Sequence, residues 1–103
     1  MIKLVDSNEK AVIVIDMVGS SRNLSLPVMK IDKVNRYRHE IIAGIKNLVF
    51  DKYEFFTFPI EQCGITHTVF LSHSIMNEKE IEVTVKYDGV TEYYATCKVI
   101  VEE

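Results

Sequence analysis

The chain opens on two runs of Ile, Val and Leu, Met1 to Val5 and Ala11 to Val18, separated by Asp6-Ser7-Asn8-Glu9. Turn-forming residues between two β-type runs predict a hairpin. In the second run Ala11, Ile13, Ile15 and Met17 share one face of a strand, and Val12, Val14, Asp16 and Val18 share the other. Apolar side chains on both faces predict an interior strand covered twice, by the core and by another subunit. The run stops at Gly19-Ser20-Ser21, which reads as a loop.

Farther along, Ile31, Val34, Ile41, Ile42, Ile45, Leu48 and Val49 recur at three- and four-residue spacing, one helical stripe. The spacing predicts a helix over about residues 28–50. It would open at Ser25 with Pro27 in the first turn, or at Asp32 as N-cap. Gly44 inside it costs about 1 kcal/mol relative to Ala, which points to close packing or a bend. Arg38 falls within the stripe, between Ile31, Ile42 and Ile45. A guanidinium there must snorkel out, pair with an acid or meet a ligand.

Tyr53 to Phe58 and Thr66 to Ser72 read as strands separated by Pro59 and Gly64, with Ile75 to Glu78 a polar connection. Alternation puts His67, Val69, Leu71 and His73 on one face. The last segment is a hairpin. Ile81, Val83 and Val85 alternate with polar residues, as do Tyr93, Ala95, Cys97, Val99 and Val101. A two-residue Asp88-Gly89 turn would pair Val85 with Glu92 and oppose the two apolar faces. A three-residue loop, Tyr87-Asp88-Gly89, pairs Val83 with Tyr93 and Ile81 with Ala95, so the one-face requirement selects it. The expected fold is α+β, a single domain over residues 1–103. One long helix packs on an antiparallel sheet of five or six strands that ends in the C-terminal hairpin.

Composition narrows the class. With 48% hydrophobic and 26% charged residues, the chain is an ordinary globular sequence rather than a disordered one. The longest apolar run is Ala11 to Ile15, too short to cross a bilayer, so no membrane partner is expected. No secretory leader is visible, and Cys63 and Cys97 are expected as free thiols in a reducing cytoplasm. The net charge of −3 is unevenly spread. Residues 22–52 carry seven Lys or Arg against three acids, and residues 53–103 carry three Lys against nine acids. Such a division can steer a charged partner or let copies associate. The basic residues share their face with Asp32 and Glu40, and only Tyr37 is interleaved among them, so nucleic acid is not the expected partner.

Two segments carry family resemblances. Ala11-Val-Ile-Val-Ile-Asp16-Met-Val-Gly-Ser-Ser21 resembles the opening of class III nucleotide cyclase domains, where a strand delivers a metal-binding Asp and a Gly-Ser loop leads into a helix near the triphosphate. The resemblance implies a ligand site built from Asp16, Gly19, Ser20 and Ser21, with Arg38 on the helix that follows. It covers about ten residues. A second metal-binding Asp has no counterpart soon after the first helix, since Asp88-Gly89 lies 72 residues beyond Asp16. What it leaves is a nucleotide or phosphate site, not a cyclase. A structural reading competes with it: Asp16 paired with Arg38 would account for both residues without a ligand. Val69 to Ser74 is similar to the first strand of TIR domains, but only 29 residues follow it, too few for that fold.

Cys63, His67, His73 and Cys97 are the residue types of a Cys2His2 zinc site. Their spacings are not those of a zinc knuckle, and an extended strand holds His67 and His73 roughly 20 Å apart. No metal and no cofactor is therefore expected. Ser72, His73 and Ser74 are contiguous and alternate across a strand, so they form no catalytic triad.

With no catalytic constellation in view, the expected function is that of a small non-enzymatic binding or regulatory protein. It would act through macromolecular contacts and self-associate as a dimer, in the manner of accessory proteins of phages or mobile elements. The alternative is a protein that binds a small anionic ligand through Asp16, Gly19 to Ser21 and Arg38.

Overall fold

The computed structural model describes residues 1–19, 21–77 and 79–102, with Val18 described by its backbone. Seven strands form one antiparallel sheet: β1 (Ile2–Val5), β2 (Ala11–Val18), β3 (Ser21–Ser25), β4 (Phe55–Gln62), β5 (Ile65–His73), β6 (Glu80–Tyr87) and β7 (Val90–Val101). Their order is β3-β2-β1-β7-β6-β5-β4, so the first and last strands pair at the centre. The sheet curls into a half-barrel around one helix, α1 (Arg38–Val49). About 56% of the described residues lie in strands or β-bridges and 15% in helical turns, which makes the fold mainly β. The expectation of a long helix on five or six strands is overturned in both parts.

The helix is short because its stripe is shared with something else. Pro27–Met29 form a single 3-10 turn, which Lys30 ends in a left-handed conformation (φ 58°). The chain then runs back along β3. Leu26 and Ile31 exchange backbone hydrogen bonds (2.8 and 3.1 Å), and the Val34 N–H donates to the Leu24 carbonyl at 2.8 Å. Open edge groups of β3 thus find partners that a helix over 28–37 would withhold. Ile31 and Val34 are buried from this strap, not from a helix. Neither expected start is used: α1 begins after Tyr37, itself left-handed (φ 58°). Its buried face, Ile41, Ile42, Ile45 and Leu48, lies in the same core as Ile13, Ile15 and Leu24. Gly44 is where it touches β4. A methyl group there would overlap three carbons of the Phe56 ring, so the close-packing reading of this glycine is the one the structure bears out.

The two hairpins that flank the central β1–β7 pair, β1–β2 and β6–β7, each carry a β-bulge. Between β1 and β2 the register shifts at Leu4/Val5, leaving Val12 extra. Val12, placed on the outer face by simple alternation, is fully buried in the core. Between β6 and β7 the turn is the two-residue Asp88-Gly89, with φ 51° and 78°, the left-handed pair of a type I′ turn. The three-residue loop is therefore corrected. The apolar faces still agree because Glu92 is an extra residue: Lys86 pairs with Thr91, but Val85 pairs with Tyr93. β4 also runs through Pro59 instead of ending before it. It is the edge strand opposite β3, where a residue without an N–H is tolerated.

Candidate functional site

Asp16, Gly19 and Ser21 lie on the one β2–β3 hairpin, while Arg38 opens α1; Ser20 lies outside the described residues. Val18 pairs with Ser21, so the segment is the turn of a β2–β3 hairpin and leads into a strand. The strand–loop–helix context that the cyclase resemblance implies is absent. Asp16 lies opposite Asn23 on the outer face, while its neighbour Met17 meets Lys46 of α1 (Nζ to Sδ 3.5 Å) on the inner face. Arg38 opens α1, half-buried, and among the described residues no ion pair joins it to Asp16. The Asp16–Arg38 pair is thus corrected, because the sheet lies between the Asp16 carboxylate and the helix.

The four zinc candidates are also dispersed. Cys63 is exposed at the β4–β5 turn, Cys97 is buried on β7, and both are free thiols. Among the described residues no three His, Cys, Asp or Glu side chains gather as a metal site. Burial pushes the Cys97 thiol up to about 11, with Asp6 and Glu80 adding to it. His67 and His73 do share the inner face, as the alternation predicts: their neighbours across β4 and β6 include the buried Ile60 and Ile81.

Each histidine instead meets a carboxylate, one at either end of β5. His67 Nε2 lies 2.9 Å from a Glu92 carboxylate oxygen. The bulge makes this contact, since it inserts Glu92 beside the start of β5. The His67 ring packs on Tyr87, centroids 5.4 Å apart, and its Nδ1 is buried without a hydrogen-bond partner. Val28 and Met29 of the 3-10 turn, with Tyr93 of β7, line a half-open cavity of about 320 Å³ beside it. Burial raises the Tyr93 phenol to about 12, helped by Cys97 and by Asp6, whose Oδ2 accepts its hydroxyl at 3.5 Å. At the other end, His73 Nε2 is 3.5 Å from Asp51 Oδ1, just beyond the C-terminus of α1.

The His73 end carries the most exposed apolar surface. Ile75 is 95% exposed, Met76 93% and Phe55 68%. Tyr53 and Phe55 line a cavity of about 830 Å³ with Ile75, and Phe50 and Val101 line another that shares Asp51 and His73 with it. The β5–β6 connection is built to hold Ile75 and Met76 outward. Ser74 Oγ accepts from the Met76 N–H (3.2 Å), Asn77 Oδ1 accepts from the Lys79 N–H (3.0 Å), and the Ser74 N–H donates to the Glu80 carbonyl (2.9 Å). Sequence reasoning passed over this connection as polar, although Ile75-Met76 was a visible apolar pair inside it. It also passed over Glu92, which only an unbulged hairpin places on the outer face.

No helix among the described residues is long and apolar enough to cross a membrane. No protein-family model matches the chain, and no curated protein or solved structure is significantly similar to it.

Proposed function

We propose that this chain is a non-enzymatic binding protein that works by protein–protein contact and pairs with a second copy through the His73 end of its half-barrel. One observation carries the reading: Ile75 and Met76, 95% and 93% exposed, are fixed outward by turn hydrogen bonds beside exposed Phe50, Tyr53 and Phe55. Contiguous apolar surface of this kind marks an interface in a folded protein. Both signs of charge border it, Lys52 and Lys79 with Asp51 and Glu54, so two copies related by a two-fold axis can satisfy each other. The sheet edges are poor alternatives. The strap over residues 31–34 covers part of β3, and Pro59 leaves the edge strand β4 one N–H short.

Sedimentation velocity on the wild type and on Ile75→Asp/Met76→Asp tests the proposal. The wild type is expected to dimerise at about micromolar concentration, and the double variant to stay monomeric with an unchanged circular dichroism spectrum. A wild type monomeric at about 100 µM, or a double variant that dimerises equally well, would overturn the pairing.

A further inference from the structure

We infer that the cavity at the His67 end of the inner face is a binding site for a small organic cation, a primary ammonium carried on an apolar body. The inference is independent of the pairing proposed above, which involves the opposite end of β5.

Hydrogen-bond direction sets what this cavity offers a ligand. An ionised carboxylate can only accept, so His67 Nε2 carries the hydrogen of the 2.9 Å contact with Glu92. His67 Nδ1 is buried without a hydrogen-bond partner among the described residues. Tyr93 spends its hydroxyl hydrogen on Asp6, 3.5 Å away, which leaves its oxygen as an acceptor. The Glu92 side chain remains 47% exposed, with lone pairs to spare. Glu92 and Tyr93 therefore both offer acceptors to this cavity, and the Gln62 amide offers one group of each kind.

Charge points the same way. Among the described residues no Lys or Arg lines the cavity, and none lies within ion-pair distance of Glu92. Glu92 is the one carboxylate among the cavity's described lining residues, and Asp6 touches the cavity only through the Tyr93 hydroxyl. The remaining walls, Val28, Met29 and Val85, are apolar. At about 320 Å³ the cavity lies at the small end of the range for ligand pockets. An ammonium donor satisfies Glu92, and an aliphatic or aryl body of modest size covers the valine and methionine side chains. A carboxylate or phosphate ligand would meet acceptors and like charge.

The bulge supplies the reason for the arrangement. With a two-residue type I′ turn, one extra residue is what keeps the apolar faces of β6 and β7 together. With Glu92 deleted, Lys86 opposite Thr91 and Val85 opposite Tyr93 are in regular register. The residue that interrupts the ladder is the one that supplies the carboxylate.

Titration of the full chain with benzylamine, followed by NMR of the Met29 methyl and His67 ring signals, tests the inference. Benzyl alcohol and benzoate serve as neutral and anionic controls. Benzylamine is expected to shift both signals saturably, with benzyl alcohol at least about tenfold weaker and benzoate without effect. Glu92→Gln should weaken benzylamine by about tenfold while leaving the benzyl alcohol response in place. Deletion of Glu92, which restores a regular ladder, should abolish the preference for the amine with the circular dichroism spectrum retained. Equal response to amine and alcohol, shifts confined to other residues, or an unchanged affinity in Glu92→Gln would each overturn the assignment. If Glu92→Gln fails to fold, the deletion variant and the three-ligand comparison on the wild type decide it alone.

Discussion

Replacing Gly44 by alanine adds one methyl group where α1 lies against β4. Two effects oppose each other. Alanine is the better helix former by about 1 kcal/mol, so in an exposed helix the change would stabilise. Here the methyl overlaps the Cζ and both Cε atoms of Phe56. That ring is tilted against Phe58 at 5.7 Å between centroids, and it cannot swing inward without meeting the core. Either the ring moves out toward solvent or the helix lifts, and overpacking of this kind costs about 1–3 kcal/mol. The net expectation is a loss of about 1 kcal/mol, or about 4–8 °C in Tm for a domain of this size. Urea denaturation followed by circular dichroism reads it. The decisive comparison is made in a Phe56→Leu background, because leucine has no atoms where the Cε and Cζ carbons stood. There Gly44→Ala should gain up to about 1 kcal/mol, so its sign reverses. A Gly44→Ala that stabilises the wild type, or one that costs the same in both backgrounds, would refute the reasoning.

The remaining predictions concern buried groups and the residues of the first reading. Cys97 is raised to about 11 from 9.0 and Tyr93 to about 12 from 10.0, in each case chiefly by burial. Both protonated forms are favoured by folding, so their stabilisation is complete below pH 9 and is lost as pH rises from 9 toward 12. The Cys97 part amounts to about 2–3 kcal/mol, and Cys97→Ala should flatten the first portion of a stability-versus-pH curve. A thiol reagent should modify exposed Cys63 quickly, and Cys97 only as fast as the protein opens; two equally fast thiols would contradict the burial. Asp16→Ala should change urea stability by less than about 0.5 kcal/mol, since among the described residues no cation pairs with that carboxylate. A loss of several kcal/mol would restore a structural role for it.

The parts of the fold that were legible are those in which local and tertiary demands agree. The first hairpin has Asp6 as its turn residue, whose Oδ1 accepts from the Asn8 and Lys10 N–H groups at 2.9 Å, and its strands match the expected runs. The core faces of β5, β6 and β7 follow the alternation as read. The helix start was not legible, because Ile31 and Val34 lie in phase with Ile41 and Ile45 although they are buried by a strap along β3. Periodicity reports that a residue faces the core, and two kinds of backbone can present it there. β3 was missed for a related reason. Ser21–Ser25 has only one large apolar residue, Leu24, and its pairing to β2 comes from the turn at Gly19 rather than from a pattern of its own.

The candidate sites were hidden by one physical feature, the bulge. Alternation carries side-chain direction along a strand with period two, and a single inserted residue inverts every assignment beyond it. The C-terminal hairpin offered two ways to keep its apolar faces together, a longer loop or an insertion in the strand. The longer loop is local and visible in sequence; the insertion is not, since any residue near the turn could be the extra one. The outcome differs in chemistry more than in fold. A three-residue loop leaves Glu92 in a regular ladder on the outer face. The bulge places it 2.9 Å from His67 on the inner one. Both solutions bury Val83, Val85 and Tyr93, so core packing alone does not choose between them. The chosen one breaks a ladder hydrogen-bond pair and brings a carboxylate against a largely buried imidazole, both unfavourable without compensation. The His67–Glu92 hydrogen bond offsets part of that cost, and a donor bound in the cavity would offset more. Tight binding of a cation there should accordingly raise Tm in the wild type and leave the Glu92 deletion variant unmoved.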